Sequence, residues 1–344
     1  MPDLVRLLDD IVTTLALGGR PAYAVTTVGG DDTAVLLLGS QHVVVTSDFI
    51  NYRPAMLTLG VGTYYDYGYV LVGNSLSDLC GSGAAPVAVM LNLMIPGDFN
   101  HDAAVDIVRG ARDIATSVGA AVVGGDTKGG VSLVGCATVL GTVSDAAELF
   151  LRTNARAGDK IALSGAVGDF AAAVYALSRP GLRLPSALRE RAIRAIIRPT
   201  LPIRVSLSLR TFRAHLGGLD ISDGLGGDAR LLATRSNVGV SLIAEQIPVG
   251  EVAVEVAEML GIPPFAFALA SGGDWQFLFT FRPESLSKIP DGSVVVGDIT
   301  SGEDCILRVG GEPVPLPTWR HVDFLHSDFV AEIQAVIAHL TSLR

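Results

Sequence analysis

The sequence predicts an α/β protein of two domains with mixed sheets, and three observations lead to this prediction. The chain has 344 residues, which is long for one hydrophobic core and comfortable for two. Apolar residues make up 49% of the sequence and charged residues 17%, so a sizeable core can be buried. Short β-branched runs alternate with helical patterns in both halves of the chain, which is typical of α/β architecture.

The first half alternates between helices and strands. Apolar residues recur at helical spacing from Leu4 to Leu15 and predict the first helix. Two further helices are predicted over 69–82 and 101–118, the second from one continuous apolar face. Short β-branched or apolar runs bounded by turn residues predict strands at 42–46, 87–93, 120–123 and 132–143.

The polar turn Arg156–Asp159 separates two stretches that are rich in strand patterns. We therefore place a domain boundary near residue 150, with one domain over 1–150 and a second α/β domain over 151–344. In the second half, helices are predicted between about 168 and 235. Strands are predicted at 160–163, 240–243, 277–281 and 294–296.

Composition excludes several classes of protein. The net charge of −10 argues against a nucleic-acid partner, which requires a basic surface. No apolar run approaches the ~20 residues that cross a bilayer, so no membrane association is expected. Asp3, Asp9 and Asp10 interrupt the amino-terminal segment where a signal peptide needs basic and then apolar residues. The predicted location is cytoplasmic.

Lysine is scarce, and this restricts how the chain can bind phosphate. Lys128, Lys160 and Lys288 are the only lysines, and the pattern G-x-x-x-x-G-K-[ST] is absent from the sequence. A phosphate-binding site would therefore depend on metal ions, backbone N–H groups and arginine.

Aspartates recur beside Gly, Ser, Thr or Asn near the ends of predicted strands. The segments are Gly30-Asp31-Asp32, Thr46-Ser47-Asp48, Asn74 to Asp78, Gly124-Gly125-Asp126-Thr127 and Asp220 to Gly224. Mg²⁺ prefers hard oxygen ligands and binds through a few carboxylates together with waters and phosphate oxygens. For each aspartate alone, an Asx turn or a helix cap is the favoured interpretation. Five such segments together favour a magnesium-nucleotide site.

These segments, in this order and spacing, resemble the thiamine-monophosphate kinase branch of the aminoimidazole-ribonucleotide-synthetase-like superfamily. The resemblance covers about residues 25–325. It rests on patterns of that family that match Gly30 to Ala34, Thr46 to Asp48, Asn74 to Asp78, Gly124 to Thr127, Asp220 to Leu225 and Ser271 to Gly273. The stretch that begins at Arg152 is similar to the domain junction of the family.

The resemblance implies ATP and Mg²⁺ as cofactors and a direct transfer of the γ-phosphoryl group to a small-molecule acceptor. The metal ligands it implies are Asp32, Thr46, Ser47, Asp48, Asp78, Asp126, Asp220 and Asp223. The nucleotide contacts it implies are Gly125, Asp126, Arg152 and Ser222, and we expect Asp126 and Asp223 to be essential for catalysis. It also implies a homodimer, in which the amino-terminal sheets of two copies form a shared barrel and the second domain closes over the site.

The substrate motifs of the family are altered in this chain. The family's G-x-H-F element has no counterpart after Asp48, and Arg53 is the candidate replacement for its histidine as a phosphate ligand. An ordinary solvated loop role for Arg53 is an equal alternative. The family's G-G-E-D-Y-E is replaced by Gly272-Gly273-Asp274-Trp275-Gln276, which lacks the glutamate. Trp275 and Trp319 are candidate platforms for a cationic ring, with a core role as the alternative.

The sequence therefore predicts an ATP-dependent kinase that acts on a small phosphorylated or heterocyclic metabolite, with thiamine monophosphate as the default acceptor. One alternative is an ATP-dependent synthetase or cyclase of the same superfamily. Another is a nucleotide-binding regulator that has lost catalysis, although keeping clustered like charges without metal would be costly.

Overall fold

Two mixed β-sheets, each with helices packed on it, form the part of the chain that a computed structural model describes. The described residues are 4–19, 22–26, 30–50, 53–212, 216–270 and 272–316, with the isolated positions 335 and 338. The mixed α/β class predicted from the sequence is confirmed. None of the described helices is long and apolar enough to cross a membrane.

The first sheet is built from six strands, and four helices come from the same part of the chain. The strands are β1 (Ala34–Leu38), β2 (Gln41–Ile50), β3 (Ala85–Pro96), β4 (Ala121–Gly124), β5 (Thr127–Gly130) and β6 (Val134–Val143). Their order is β1-β2-β6-β3-β4, with β5 also paired to β3. The helices are α1 (Leu4–Ala16), α2 (Ala55–Thr58), α3 (Tyr64–Gly81) and α4 (His101–Ser117).

One face of this sheet is covered by α3 and α4, and the described elements leave the opposite face, called here the open face, largely exposed. Val44, Val89 and Val139 point into the core beneath the helices. On the open face, Phe49 is 71% exposed and Met94 is 44% exposed. Among the described residues the sheet does not close on itself, so the shared barrel of a dimer stays a prediction. An apolar open face of this kind is consistent with a partner surface.

The second sheet has seven strands. They are β7 (Lys160–Leu163), β8 (Gly218–Asp220), β9 (Gly239–Ile243), β10 (Phe277–Phe281), β11 (Val294–Thr300), β12 (Cys305–Val309) and β13 (Glu312–Pro315). Their order is β13-β12-β9-β11-β7-β10-β8. Its helices are α5 (Asp169–Leu177), α6 (Ser186–Ile197), α7 (Ile203–Leu209), α8 (Leu225–Ser236), α9 (Glu251–Leu260) and α10 (Phe265–Ala270).

The two sheets take their strands from separate parts of the chain, because β6 ends at Val143 and β7 begins at Lys160. The domain ranges 1–150 and 151–344 stay predictions, since α3 also contacts β8 and β10 of the second sheet. Helix α3 begins at Tyr64, five residues before the predicted start, because Thr63 and Asp66 form a capping box there. Strands β1, β5, β8, β12 and β13 were missed by the sequence pattern.

Candidate active site

Five aspartate side chains from four separate segments lie close together where α3 meets both sheets. They are Asp32 before β1, Asp48 in β2, Asp78 in α3, Asp220 at the end of β8 and Asp223 in the loop that follows β8. The charges of Asp220, Asp48 and Asp32 all raise the pKa of Asp78. The charge of Asp223 raises the pKa of Asp32. The structure thus brings these five predicted ligands into one carboxylate cluster.

Ser77 and Asp78, consecutive residues of helix α3, connect the part of the carboxylate cluster on the first sheet with the part on the second sheet. The Thr46 hydroxyl in β2 donates a hydrogen bond to Asp78 Oδ2 at 2.5 Å. The Ser77 hydroxyl donates to Asp220 Oδ2 at 3.2 Å, and both residues are buried. A Cβ atom at Gly81 would overlap the backbone of Asp220, so only glycine allows α3 to approach β8 this closely.

Arg152 supplies positive charge beside the carboxylate cluster. Its guanidinium forms an ion pair with Asp32, and the two side chains are 11% and 20% exposed. Its backbone N–H donates to Asp31 Oδ2 at 2.9 Å. The charge of Arg152 lowers the pKa values of both Asp32 and Asp220. An arginine in this position is suited to bind phosphate oxygens as well as carboxylates.

Burial is the main cause of the unusual titration of the carboxylate cluster. Desolvation raises the pKa values of Asp78 and Asp220 well above the ordinary range, and neighbouring carboxylates raise them further. Burial also raises the pKa of Asp31 to about 6. Such carboxylates repel one another when they are charged, so a bound cation would stabilise their ionised forms.

The carboxylate cluster has oxygen atoms that are suited to Mg²⁺. Within the described part of the chain, Asp32 Oδ2, Asp48 Oδ2 and Asp220 Oδ1 are buried and have no hydrogen-bond partner. No three acidic, cysteine or histidine side chains of the described residues already surround a single point as a complete metal site. Mg²⁺ commonly uses one or two carboxylates and completes its octahedron with waters and phosphate oxygens, so the residues fit this ion.

Asp228 was missed by the sequence analysis, although it shapes the loop that carries Ser222 and Asp223. Its Oδ2 accepts hydrogen bonds from the backbone N–H groups of Ser222 at 3.0 Å and Asp223 at 2.9 Å. It lies in the first turn of α8, where a carboxylate can satisfy the N–H groups at a helix start. An acidic residue in that turn was the signal available in the sequence.

Ser47 does not direct its side chain into the carboxylate cluster. Its hydroxyl lies 2.9 Å from Thr138 Oγ1 and 3.3 Å from Cys136 Sγ, on the open face of the first sheet. Thr46 and Asp48 point to the covered face, because successive strand residues alternate between faces. The Ser47 hydroxyl thus lies on the other side of the sheet from the carboxylate cluster, and the role of Ser47 as a metal ligand stays a prediction.

Asp126 lies apart from the carboxylate cluster of its own chain. Asp48 pairs with Ala137, Ala137 pairs with Leu91, and Gly125 packs directly on the Leu91 backbone. Three strand spacings separate the two sites, or about 14 Å. The Asp126 side chain is 61% exposed and lies 3.6 Å from Lys128 Nζ. The structure does not bring Asp126 together with the other predicted ligands within one chain.

A cavity of about 470 Å³ adjoins the Gly124–Thr127 turn. Its walls come from β3, α4 and the start of β5, and they combine an apolar floor with two arginines. The lining residues are Leu93, Ile95, His101, Ala104, Val105, Val108, Arg109, Arg112 and Thr127. A mostly apolar cavity with a few polar groups at its edge is typical of a small-molecule site.

The three predicted substrate residues have different outcomes. Arg53 is exposed at the start of the segment that leads into α2, and its role as a phosphate ligand stays a prediction. Trp275 is 3% exposed and donates from Nε1 to Asn74 Oδ1 at 3.0 Å. Its ring is enclosed by other residues, so the core alternative describes it better than a free stacking platform. Trp319 lies outside the described residues.

Comparisons with known proteins identify the family of the chain. The sequence profile for "AIR synthase related protein, N-terminal domain" matches residues 30–143. A thiamine-monophosphate kinase of Halobacterium salinarum is 30% identical over 297 residues, which cover 85% of this chain and 94% of the relative. The chain belongs to the thiamine-monophosphate kinase family.

Two further relatives show how much of the chain this family membership covers. The thiamine-monophosphate kinase of Pyrococcus abyssi is 26% identical over 295 residues, or 85% of this chain and 90% of the relative. A solved structure of AaThiL complexed with AMPPCP and TMP has a TM-score of 0.76 and 25% identity, and it covers 91% of this chain and 94% of that one. The thiamine-monophosphate kinase fold therefore extends over both sheets.

Proposed function

We propose that this chain is an ATP- and Mg²⁺-dependent phosphotransferase that phosphorylates a small phosphorylated or heterocyclic metabolite. The observation that carries the proposal is the carboxylate cluster, which joins four segments and leaves buried oxygens of Asp32, Asp48 and Asp220 without partners in the described structure. Phosphoryl transfer requires mainly positioning and neutralisation of charge. A site with many carboxylates and Arg152 meets both requirements once cations are bound.

Asp32, Asp48, Asp78, Asp220 and Asp223 are the residues that would hold Mg²⁺, with Thr46 fixing Asp78 through its hydroxyl. The bound ions would neutralise the phosphate oxygens of the nucleotide. Arg152 would contribute the positive charge that lysine supplies in other nucleotide sites. The backbone of Ser222, held by Asp228, would present its loop to the nucleotide.

We place the nucleoside part of ATP in the cavity beside Gly125 and Thr127. The Gly124–Thr127 turn is exposed, so its backbone groups can approach phosphate, and the cavity floor is apolar enough for a base. A solved structure of AaThiL is complexed with AMPPCP and TMP, which supports binding of both a nucleotide and a second small molecule by this chain.

We further propose that the protein is a homodimer in which Asp126 acts in the site of its partner. Within one chain, Asp126 is about three strand spacings, roughly 14 Å, from Asp48. The open face of the first sheet exposes Phe49, Met90 and Met94, which a second copy would cover. Closing the sheet against a partner would bring the exposed Asp126 toward a second carboxylate cluster.

Mixing two inactive variants tests the dimer and the role of Asp126 together. Asp126→Asn and Asp78→Asn are each expected to form inactive homodimers. If Asp126 acts across the interface, each mixed dimer contains one site with every ligand intact. Random exchange of equal amounts should then restore about one quarter of the wild-type activity, because half the dimers are mixed and half their sites are intact. No recovery after verified subunit exchange would contradict the shared site.

The activity itself is tested by ADP release from ATP in the presence of Mg²⁺. Thiamine monophosphate and a panel of other phosphorylated heterocycles are offered as acceptors, and the phosphorylated product is identified by mass. We expect turnover that depends on both an acceptor and Mg²⁺. Formation of ADP and inorganic phosphate with a cyclised product would indicate a synthetase instead. Nucleotide binding without turnover on any acceptor would indicate a regulator.

A further inference from the structure

The indole ring of Trp275 packs on α3 at Gly73, a position that has no side chain. Its Nε1 donates to Asn74 Oδ1 at 3.0 Å, and its ring stacks on Tyr69 with centroids 6.0 Å apart and planes at 22°. A Cβ atom at Gly73 would overlap Cη2 and Cζ2 of the indole ring. Glycine at position 73 therefore makes room for the outer ring of Trp275, which comes from the loop before β10.

The loop that carries Trp275 also holds the segment with Asp220 and Asp223. The backbone N–H of Ile221 donates to the carbonyl oxygen of Gln276 at 2.8 Å. Phe277, the next residue, pairs with Asp220 in the second sheet. Trp275 thus contacts α3 through its indole ring, and Gln276 and Phe277 contact the Asp220 segment through their backbones.

The backbone around Trp275 is fixed in an unfavourable conformation. Trp275 has φ of 56°, in the left-handed region that bulky residues rarely adopt. The preceding Asp274 is anchored by two hydrogen bonds, since its carboxylate accepts from Gly168 N at 2.7 Å and Phe170 N at 2.8 Å. Such conformations persist only where the surroundings enforce them, and they concentrate at functional sites.

We propose that Trp275 is a positioning residue, which sets the distance between Asp78 on α3 and the Asp220–Asp223 segment. This inference rests on the proposed function. Asn74 and Asp78 are one helical turn apart, so they lie on the same side of α3 and move together. Any shift of α3 at the Trp275 contact changes the spacing of the carboxylates that come from the two sheets.

A double-mutant cycle that enlarges residue 73 and shortens residue 275 tests the contact directly. Gly73→Ala would ordinarily favour a helix, because alanine has the higher helix propensity. Here it should lower the melting temperature, since its Cβ meets the indole ring. Trp275→Phe removes the outer ring atoms and should make Gly73→Ala tolerable. We expect the double variant to melt above the Gly73→Ala single variant, and additive losses would refute the contact.

Mn²⁺ binding, measured by electron paramagnetic resonance with AMPPCP present, tests the positioning role. Gly73→Ala should weaken Mn²⁺ affinity at least fivefold, and the double variant should recover most of that loss. Leu307→Ala in β12 is the control, because it removes a fully buried side chain on the far side of the second sheet. This control should lower the melting temperature and leave Mn²⁺ affinity unchanged.

The outcomes separate this inference from the proposed function. If the wild-type protein binds no Mn²⁺ with AMPPCP, the proposed function itself fails. If the wild type binds Mn²⁺ and Gly73→Ala binds it equally well, Trp275 has no positioning role. Equal losses of affinity in Gly73→Ala and Leu307→Ala would also overturn the inference, because they would show a general effect of destabilisation.

Discussion

Replacing Arg152 by methionine should destabilise the metal-free protein strongly at alkaline pH. Methionine keeps an unbranched apolar stem and removes the guanidinium that pairs with Asp32 and lowers the pKa of Asp220. Both members of the Arg152–Asp32 pair are largely buried, at 11% and 20% exposure. Removing one partner of a buried ion pair costs about 3–5 kcal/mol, because the other charge remains without compensation. We expect a loss of this size at pH 8 in EDTA.

The same variant should lose much less stability at pH 5. The folded-state pKa of Asp31 is raised from 3.8 to about 6, so its contribution to stability is fully present below about pH 4 and is lost as the pH rises through about 6. A shift of this size corresponds to about 3 kcal/mol for Asp31 alone. The pKa values of Asp78 and Asp220 are also raised, so their contributions to stability are likewise lost as the pH rises. A protonated carboxyl group carries no charge for the guanidinium to compensate. The difference in free energy of unfolding between Arg152→Met and the wild type should therefore be smaller at pH 5 than at pH 8.

Urea unfolding in EDTA at pH 5 and pH 8 measures both effects. Arg191→Met is the matched control, since its ion pair with Glu255 is 37% and 44% exposed and should be worth at most about 1 kcal/mol. Addition of Mg²⁺ and AMPPCP at pH 8 should raise the stability of the wild type, because the ligands bind only the folded state. A loss in Arg152→Met that equals the control, or that grows at pH 5, would refute the charge argument.

Three further results are expected. Asp223→Asn should abolish most ADP release while its circular dichroism spectrum stays that of the wild type; wild-type rates would contradict its role as a ligand. Light scattering at micromolar concentration should give the mass of a homodimer, and a fully active monomer would exclude the shared site. Thiamine monophosphate should be a weak acceptor by about a hundredfold, since two charged contacts of the family are missing and each costs roughly 1.5–3 kcal/mol. A specificity constant above ~10⁴ M⁻¹s⁻¹ would show that Arg53 or another residue compensates.

The carboxylate cluster was predictable because its residues carry local signals. Asp220 ends β8, Asp223 follows β8, and Asp48 comes two residues after the predicted strand 42–46, each within a short segment that contains Ser, Thr or Gly. The strands themselves were predictable from β-branched runs such as residues 42–46. The edge strand β13 was not, because two of its four residues are proline, which is depleted in strands. Its neighbour β12 was also missed, since Arg308 interrupts its short apolar run.

The placement of Ser47 could have been predicted from strand geometry alone. Once residues 42–46 are taken as a strand that continues to Asp48, the two-residue period assigns Thr46 and Asp48 to one face and Ser47 to the other. Asp126 is different, since its distance from Asp48 depends on the order in which the strands are placed. That order puts β6 and β3 between them, and no local pattern contains this information.

The environment of Trp275 could not be predicted, because it depends on a glycine about two hundred residues earlier in the chain. Sequence composition makes a tryptophan near a substrate motif an attractive stacking platform. The structure shows that the ring packs where Gly73 has no side chain and that Asn74 accepts its N–H. Because the partners of Trp275 lie on α3, its environment depends on a tertiary contact and not on its local sequence.

Gly73 and Gly81 make the carboxylate cluster depend on the contact between the two sheets. Each allows α3 to approach a segment of the second sheet, the Trp275 ring in one case and the Asp220 backbone in the other. Asp78 lies between these two contacts on the same helix. Because the repulsion among Asp78, Asp220 and Asp48 opposes that approach, cations that neutralise them must favour it. Metal binding and the packing of α3 on the second sheet are therefore thermodynamically linked, and each should strengthen the other.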